Sequence, residues 1–277
     1  MPHTQTRLAL ALALMLATTG AYAGDRENVR ADDAVRVVRQ IQAIPESAIP
    51  DRLLDDAKAI VVVPDTIKAG FMIGGRRGLG LMSVKSPDGT WSNPVFVKLA
   101  GASFGLQAGV QSADVILVFR SERGVDSIVN GKITLGADAG IAAGPVGRNA
   151  AAATDGALKA EIWSWSRARG LFAGVALDGA VLSIDNGANR SVYGDGTTPR
   201  AIFENRAPGT PSAAITHFRD TLEEATAAAR QARGGTPAPV ANAAPADNGV
   251  QVQPLANDNP ATTVPLSDTP AAPASKP

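Results

Sequence analysis

The chain has no cysteine among its 277 residues and only two histidines. The absence of cysteine excludes disulfides, thiolate zinc ligands, cysteine nucleophiles and a cysteine-linked lipoprotein anchor. Two histidines are too few for the clusters that bind zinc or iron. The composition therefore argues against metal chemistry and against thiol chemistry.

An excess of charge of either sign is missing as well. The 26 Lys and Arg residues balance the 26 Asp and Glu residues, so the formal net charge is zero. A protein without net positive charge has no global attraction to nucleic acid. We expect no nucleic-acid partner, and any surface that binds anions must be local.

Long hydrophobic runs are also lacking. The apolar run Leu8–Ala17 follows Arg7 and precedes Ala21-Tyr22-Ala23, which has the A-x-A pattern of a signal-peptide cleavage site. The run has about half of the roughly 20 residues that a membrane-spanning helix needs. Residues 1–23 are therefore predicted to be a signal peptide that is removed after Ala23. The mature protein is expected in the periplasm, where it can associate peripherally with a membrane.

Motifs of known catalytic sites are scarce. Once residues 1–23 are removed, His217 is the one histidine left, and the chain has no G-x-S-x-G nucleophile motif. The glycine-rich segment Gly74–Gly80 fits neither the GxxxxGK[ST] phosphate loop nor the GxGxxG dinucleotide motif. The sequence predicts a protein that is not an enzyme and that carries no cofactor.

Short strands interrupted by glycine are the main feature of the middle of the chain. Ala59–Val63 is a β-branched run closed by Pro64, which is typical of a buried strand. Glycine within strands marks bends and close backbone contacts, so a curved, largely antiparallel sheet or barrel-like core is expected. The other predicted strands are Ala69–Gly74, Leu79–Lys85, Val95–Ala100, Ser103–Val110, Val115–Phe119, Lys132–Gly136, Glu161–Arg167, Gly170–Asp178 and Ala180–Asp185.

Helices are predicted at both ends of this region. Asp25–Ile44 and Ser212–Arg233 each carry one apolar stripe at helical spacing. A short helix ends at Ala57, another spans Ser121–Asn130, and the segment between Asp185 and Arg206 is predicted to be a loop. The fold class is therefore α+β, a single domain whose sheet is covered by the N- and C-terminal helices.

The domain organisation follows from these patterns. Residues 24–58 form an N-terminal helical segment, and residues 59–233 form the core with its closing helix. Residues 234–277 are rich in proline and alanine and contain no aromatic residue. Such a segment buries too little apolar surface to offset its ordering entropy, so a disordered tail is expected.

One segment carries a family resemblance. Trp163–Leu182, WSWSRARGLFAGVALDGAVL, resembles the signature of the SYLF lipid-binding domain family. The resemblance extends back to Ile44–Pro64 and forward through Ser191–Gly194. It implies lipid or anionic-membrane binding, since eukaryotic relatives are phosphoinositide-binding modules linked to actin regulation. The chain is similar to the stand-alone, exported bacterial form, and the resemblance implies no catalytic residue.

Six cations at predicted turns are candidates for contact with a lipid headgroup. Arginine can hold a phosphate through two parallel hydrogen bonds while neighbouring apolar side chains enter the interface. A solvated charge or a local ion pair is the alternative for each. The predicted function is peripheral binding of anionic phospholipid, and the alternative is an envelope scaffold without lipid specificity. The candidates are Arg76, Arg77, Arg167, Arg169, Lys68 and Arg148.

The cleavage site gives the first testable prediction. When the full chain is expressed in a bacterium with signal peptidase, the mature protein should begin at Gly24, because cleavage follows Ala23. Intact-mass analysis of the periplasmic fraction measures this. A mature species that keeps residues 1–23 would contradict both the cleavage site and the periplasmic location.

Overall fold

The computed structural model describes residues 24–44, 48–145, 160–168, 171–175 and 177–234. The predicted signal peptide lies outside these ranges, as does the predicted disordered tail except for its first residue, Gly234, which ends the last helix. The described helices are α1 (Asp25–Gln42), α2 (Asp51–Asp55), α3 (Glu122–Val129), α4 (Asn186–Tyr193), α5 (Pro199–Phe203) and α6 (Ala213–Gly234). The described strands are β1 (Ala59–Val84), β2 (Val95–Phe119), β3 (Lys132–Thr134), β4 (Ile141–Ala143), β5 (Ile162–Ala168), β6 (Leu171–Gly174) and β7 (Val181–Ile184).

The described strands belong to one curled sheet built around β2. One edge of β2 pairs with β1 along its length, and the other edge pairs with β7 near its start and with β5 near its end. Strand β3 extends the sheet beyond β7, and β4 and β6 pair with β5. The pairs are antiparallel except for β4 with β5. The predicted α+β class with a curved, largely antiparallel sheet is confirmed.

Strands β1 and β2 form an unusually long two-stranded ribbon. They contain 26 and 25 residues, and their register runs from Ala59 opposite Phe119 to Met82 opposite Val95. The N–H of Lys85 donates a hydrogen bond to the carbonyl of Lys58 at 2.8 Å, so the two ends of β1 meet. The ribbon therefore curls back on itself.

Glycine makes this curl sterically feasible. A Cβ atom added to Gly80 would lie 2.2 Å from the carbonyl oxygen of Val62, and one added to Gly78 would lie 2.5 Å from the Val63 side chain. The two halves of β1 thus touch where no side chain fits, with Gly80 against backbone and Gly78 against the side chains of Val63 and Thr66. Such close approach is what glycine within a strand often signifies.

The prediction of several short strands in this region was wrong. Pro64 and the glycines were interpreted as strand breaks, whereas each of the two strands is continuous through them. The register shifts between Val63 and Thr66, and the intervening Asp65 has a positive φ of 45°. Pro64 therefore falls in a β-bulge, where its missing N–H does not interrupt the ladder.

Two more predictions need correction. The predicted loop after Asp185 contains α4 and α5. Asp185 begins α4 by accepting a hydrogen bond from the N–H of Ala188, and Thr198 caps α5 with Pro199 in its first turn. These are ordinary start signals for helices. Strand β4 was not predicted either.

The terminal helices cover the sheet as expected. Helix α1 buries Ala34, Val37 and Ile41, while α6 buries Phe218 and Leu222. The two helices also contact each other, since the Ser212 hydroxyl lies 2.6 Å from the side-chain oxygen of Asn28. The N-terminal helix is thus part of the domain core.

The residues of the signature segment build this core. Trp165 is fully buried, and its indole N–H donates to the carbonyl of Pro145 at 3.3 Å. Ser164 is also buried, with its hydroxyl 3.1 Å from the carbonyl of Ala142. Gly144 packs so closely on Trp165 that an added Cβ would overlap the indole ring. These residues of the signature segment therefore serve to pack the core.

The contact between the halves of β1 gives a stability prediction. Gly80→Ala places a methyl group against backbone that cannot move away, and overpacking of this kind costs about 1–3 kcal/mol. Gly75→Ala is the matched control in the same strand, because the nearest atom to an added Cβ is 4.0 Å away. Urea unfolding should show a lower midpoint for Gly80→Ala and an unchanged midpoint for Gly75→Ala. Equal midpoints for the two variants would contradict the contact.

Candidate functional site

Arg76 and Arg77 lie on opposite faces of β1. Successive side chains of a strand alternate in direction. Arg76 lines a cavity together with Lys68, whereas Arg77 lines a separate groove together with Ile67. The two arginines that the sequence places side by side therefore cannot hold one headgroup together.

The outer groove is the surface formed by Val29 of α1 with Ile67, Arg77 and Leu79 of β1. Its volume is about 550 Å³, and Pro64, Asp65 and Gly78 complete the β1 side. Three of its apolar side chains are unusually exposed: Val29 by 61%, Ile67 by 51% and Leu79 by 37%. An apolar cluster on a surface is a typical mark of an interaction site.

Arginines border the outer groove. Arg26 and Arg77 are exposed, and neither forms an ion pair with another residue that the structure describes. Arg30, which lies deeper, is paired with Asp185 at 3.4 Å. The groove thus combines apolar side chains with two available positive charges.

Ion pairs fix α1 against the sheet and so shape this groove. Asp185 is buried, lies 3.0 Å from Lys98 of β2 and accepts a hydrogen bond from the N–H of Ala188. Burial alone would raise the pKa of Asp185, but the hydrogen bonds from Lys98 and Ala188 and the charges of Lys98 and Arg30 lower it on balance. The carboxylate therefore stays ionised and holds α1 through Arg30.

A second buried carboxylate, Asp114, holds the middle of α1. It lies 3.5 Å from Arg36 of α1 and 3.7 Å from Arg167 of β5. It also accepts a hydrogen bond from the N–H of Asp65, which stabilises the bulge of β1. Arg167 additionally stacks over Phe172 at 5.7 Å. These contacts occupy Arg167 within the fold.

The inner cavity is the space on the other face of β1, lined by Lys68 and Arg76. Its volume is about 590 Å³, and it extends to β5 and to the segment that follows β6. Burial lowers the pKa of Arg76, and neither cation has a hydrogen bond or ion pair within the described ranges. This cavity is the second candidate for anion binding.

A third cavity is less suited to bind an anion. It measures about 980 Å³ and lies near α2, the end of β1 and α3. Its charges are already paired, with Lys58 3.2 Å from Glu122 and Arg230 2.8 Å from Asp55. Burial, followed by the charge of Arg230, lowers the pKa of Lys85 to about 8. The Lys85 amine is occupied by the carbonyls of α2, 2.8 Å from that of Asp55.

The six predicted site residues thus have different surroundings. Lys68, Arg76, Arg77 and Arg167 lie within strands, so their prediction as turn residues was wrong. Arg148 and Arg169 lie outside the described residues. Arg26, Val29, Ile67 and Leu79 were not predicted. An apolar Val29 away from the buried stripe of α1 was the sequence signal for this surface.

Neither a metal site nor a membrane-spanning helix is found in the described ranges. No group of three or more His, Asp or Glu residues there could hold a metal ion. None of the helices in those ranges is both long and apolar enough to cross a membrane.

Comparison with known proteins matches part of the chain to a family. Residues 100–225 match the model of the family described as "Ysc84: Las17-binding protein actin regulator". The chain carries a Ysc84-family domain. The matched range includes the signature segment Trp163–Leu182, and the SYLF resemblance is confirmed.

Individual relatives agree with this assignment. The chain is 37% identical to "Protein YSC84" of Saccharomyces cerevisiae over 172 residues, 61% of this chain and 36% of the relative. It is 34% identical to "LAS seventeen-binding protein 3" of a strain of the same yeast over 193 residues, which are 69% of this chain and 41% of the relative. It is 32% identical to human "SH3 domain-containing YSC84-like protein 1" over 169 residues, which are 59% of this chain and 49% of the relative. The chain thus spans less than half of these relatives.

The ion pairs of Asp185 predict a pH dependence. A lowered pKa contributes stability that is complete above the ordinary aspartate pKa and is lost as pH falls through the folded value. Asp185→Asn should therefore lower Tm at about pH 7, and its difference from the parent should shrink toward about pH 3. Asp195→Asn is the control, because Asp195 is 91% exposed and pairs with an exposed arginine. A difference for Asp185→Asn that is constant with pH would contradict the argument.

Proposed function

We propose that this protein binds anionic phospholipid membranes peripherally through the outer groove. The observation that carries the proposal is the exposure of Val29, Ile67 and Leu79 beside Arg26 and Arg77. Apolar side chains that enter the headgroup boundary and cations that meet anionic lipids are the two components of peripheral binding. Binding without a reaction is proposed as the whole activity.

The chemistry of the groove fits phosphate at a membrane surface. Arg26 and Arg77 each offer a planar fork of N–H donors that matches phosphate oxygens. Each cation near an anionic surface contributes about 1 kcal/mol, and salt screens this attraction. The ion pairs of Asp185 and Asp114 hold α1 in place. The groove is therefore formed before binding, which limits the entropy lost on association.

A protein partner is the second candidate. The names of the relatives describe binding to Las17 and actin regulation. An apolar groove with arginines at its border also suits an acidic protein segment, as in the scaffold alternative. We place lipid first, because three exposed aliphatic side chains beside two arginines suit an anionic lipid surface.

Export to the periplasm is part of the proposal. It is supported by the order of Arg7, the apolar run Leu8–Ala17 and the A-x-A pattern that ends at Ala23. In that location the membrane would present anionic phospholipid. The bacterial form proposed here would thus act on envelope membranes.

Reversal of charge at the groove tests the proposal. Arg26→Glu with Arg77→Glu removes two attractive contributions of about 1 kcal/mol and adds two repulsive ones. Sedimentation with vesicles that contain phosphatidylglycerol should show binding weakened by well over about tenfold. Vesicles of phosphatidylcholine alone should bind the parent weakly, and added salt should weaken its binding to the anionic vesicles.

The matched control is Arg123→Glu with Lys132→Glu. Both residues are exposed and distant in sequence from the groove, and the control changes the net charge equally. It should bind like the parent. Equal loss in both double variants would show a net-charge effect without a site. A parent that ignores anionic vesicles would refute lipid binding and favour the protein partner.

A further inference from the structure

The inner cavity contains a charge that the fold does not compensate. Burial is the cause that lowers the pKa of Arg76, and no neighbouring carboxylate raises it. Because the ordinary pKa of arginine is above about 12, the guanidinium stays charged at neutral pH. Arg76 is half-buried, and partial loss of hydration makes a cation without a partner unfavourable. Lys68 places a second positive charge in the same cavity.

The compensating group must therefore be an anion. No carboxylate is among the residues that line the cavity. Asp65 and Asp114, which are sequence neighbours of lining residues, pair with arginines: Asp114 with Arg36 and Arg167, and Asp65 with Arg36. An anionic ligand that accepts two hydrogen bonds from Arg76 and contacts Lys68 would compensate the unfavourable charge. Hydrogen bonds between charged groups are also the stronger ones.

The walls of the cavity indicate what else the ligand carries. The Ser166 hydroxyl can donate to an oxygen of a headgroup, whereas the Thr66 and Ser112 hydroxyls already donate to the Val63 carbonyl and to Asp65. Apart from Gln111, the remaining lining is aliphatic, and a volume of about 590 Å³ lies in the range of small-molecule sites. The aliphatic residues of the lining include Val110, Val115, Val175 and Leu177.

We propose that the inner cavity binds one small amphiphilic anion, a carboxylate or phosphate joined to a short apolar chain. The headgroup lies on Arg76 and Lys68, and the chain lies against the aliphatic wall. Val110 is 74% exposed and lines the cavity, so an apolar chain can also reach it from solvent. This site is distinct from the outer groove, because Arg76 and Arg77 face opposite ways.

Calorimetric titration of the full chain tests the site with decanoate and with decyl phosphate. Each should bind saturably at one site per chain. Decanol lacks the charge and inorganic phosphate lacks the chain, so each should bind about tenfold or more weakly. Arg76→Gln should weaken binding of both amphiphiles by about tenfold or more, since it removes the charged partner.

Arg77→Gln serves as the variant for the outer groove, and Arg123→Gln is the matched control for the cavity, because Arg123 is exposed and lines neither surface. Arg123→Gln should leave amphiphile binding unchanged. Arg76→Gln should also raise Tm of the ligand-free protein, because an uncompensated, half-buried charge is removed. Lys68→Gln is the second variant and should weaken binding in the same direction.

Several results would overturn the proposal. They are the absence of saturable binding, equal binding by the parent and the Arg76 and Lys68 variants, or inorganic phosphate binding as tightly as decyl phosphate. Vesicle sedimentation of the same variants separates this site from the outer groove. Loss of vesicle binding with Arg77→Gln but not with Arg76→Gln would locate the membrane contact on the outer face alone. Uptake from vesicles but not from solution would instead make the cavity a membrane headgroup site.

Discussion

The contact of β1 with itself is the constraint on which the rest of the structure depends. Gly78 and Gly80 lie against Val62 and Val63 with no space for a side chain between them. This contact allows the ribbon to curl, and the hydrogen bond between Lys85 and Lys58 closes it. A flat ribbon of this length would leave one face without a core. The curl instead gives β1 an inner and an outer face along its whole length.

Two chemically different surfaces follow from that curl. The outer face meets α1 and leaves Ile67 and Leu79 exposed, while the inner face encloses Arg76 beside β5. The ion pairs of Asp185 and Asp114 then fix α1, which supplies Val29 to the outer groove. The arrangement of both surfaces is thus a consequence of a few glycines and two buried carboxylates.

Much of the fold was predictable from the sequence, because local patterns determine it. The apolar stripes of α1 and α6 and the alternation in β5 have periods that specify helix and strand directly. The continuity of β1 through Pro64 was not predictable, because the bulge depends on Asp114 holding the N–H of Asp65 from another strand. The capping residues Asp185 and Thr198 were readable but were interpreted as turn residues.

The candidate site was harder to predict than the fold. The alternation of a strand does place Arg76 and Arg77 on opposite faces, but which face is enclosed depends on the curl. Arg167 also looks like a turn cation until Asp114 and Phe172 are brought beside it. A contact between residues distant in the chain thus decides whether a cation is structural or available.

The family signature and the candidate surfaces meet different physical requirements, since the signature packs the core and the surfaces are available for binding. Trp165 and Ser164 of the signature are buried with their polar atoms hydrogen-bonded, and Gly144 packs against Trp165, so these contacts are made within the fold. The exposed Val29 and Ile67 and the half-buried Arg76, which has no ion pair in the described fold, depart from this pattern at a cost in stability. Departures of this kind concentrate at functional sites, because binding supplies the partner that folding leaves out. The positions that cost the free protein most are therefore the ones where a ligand gains most.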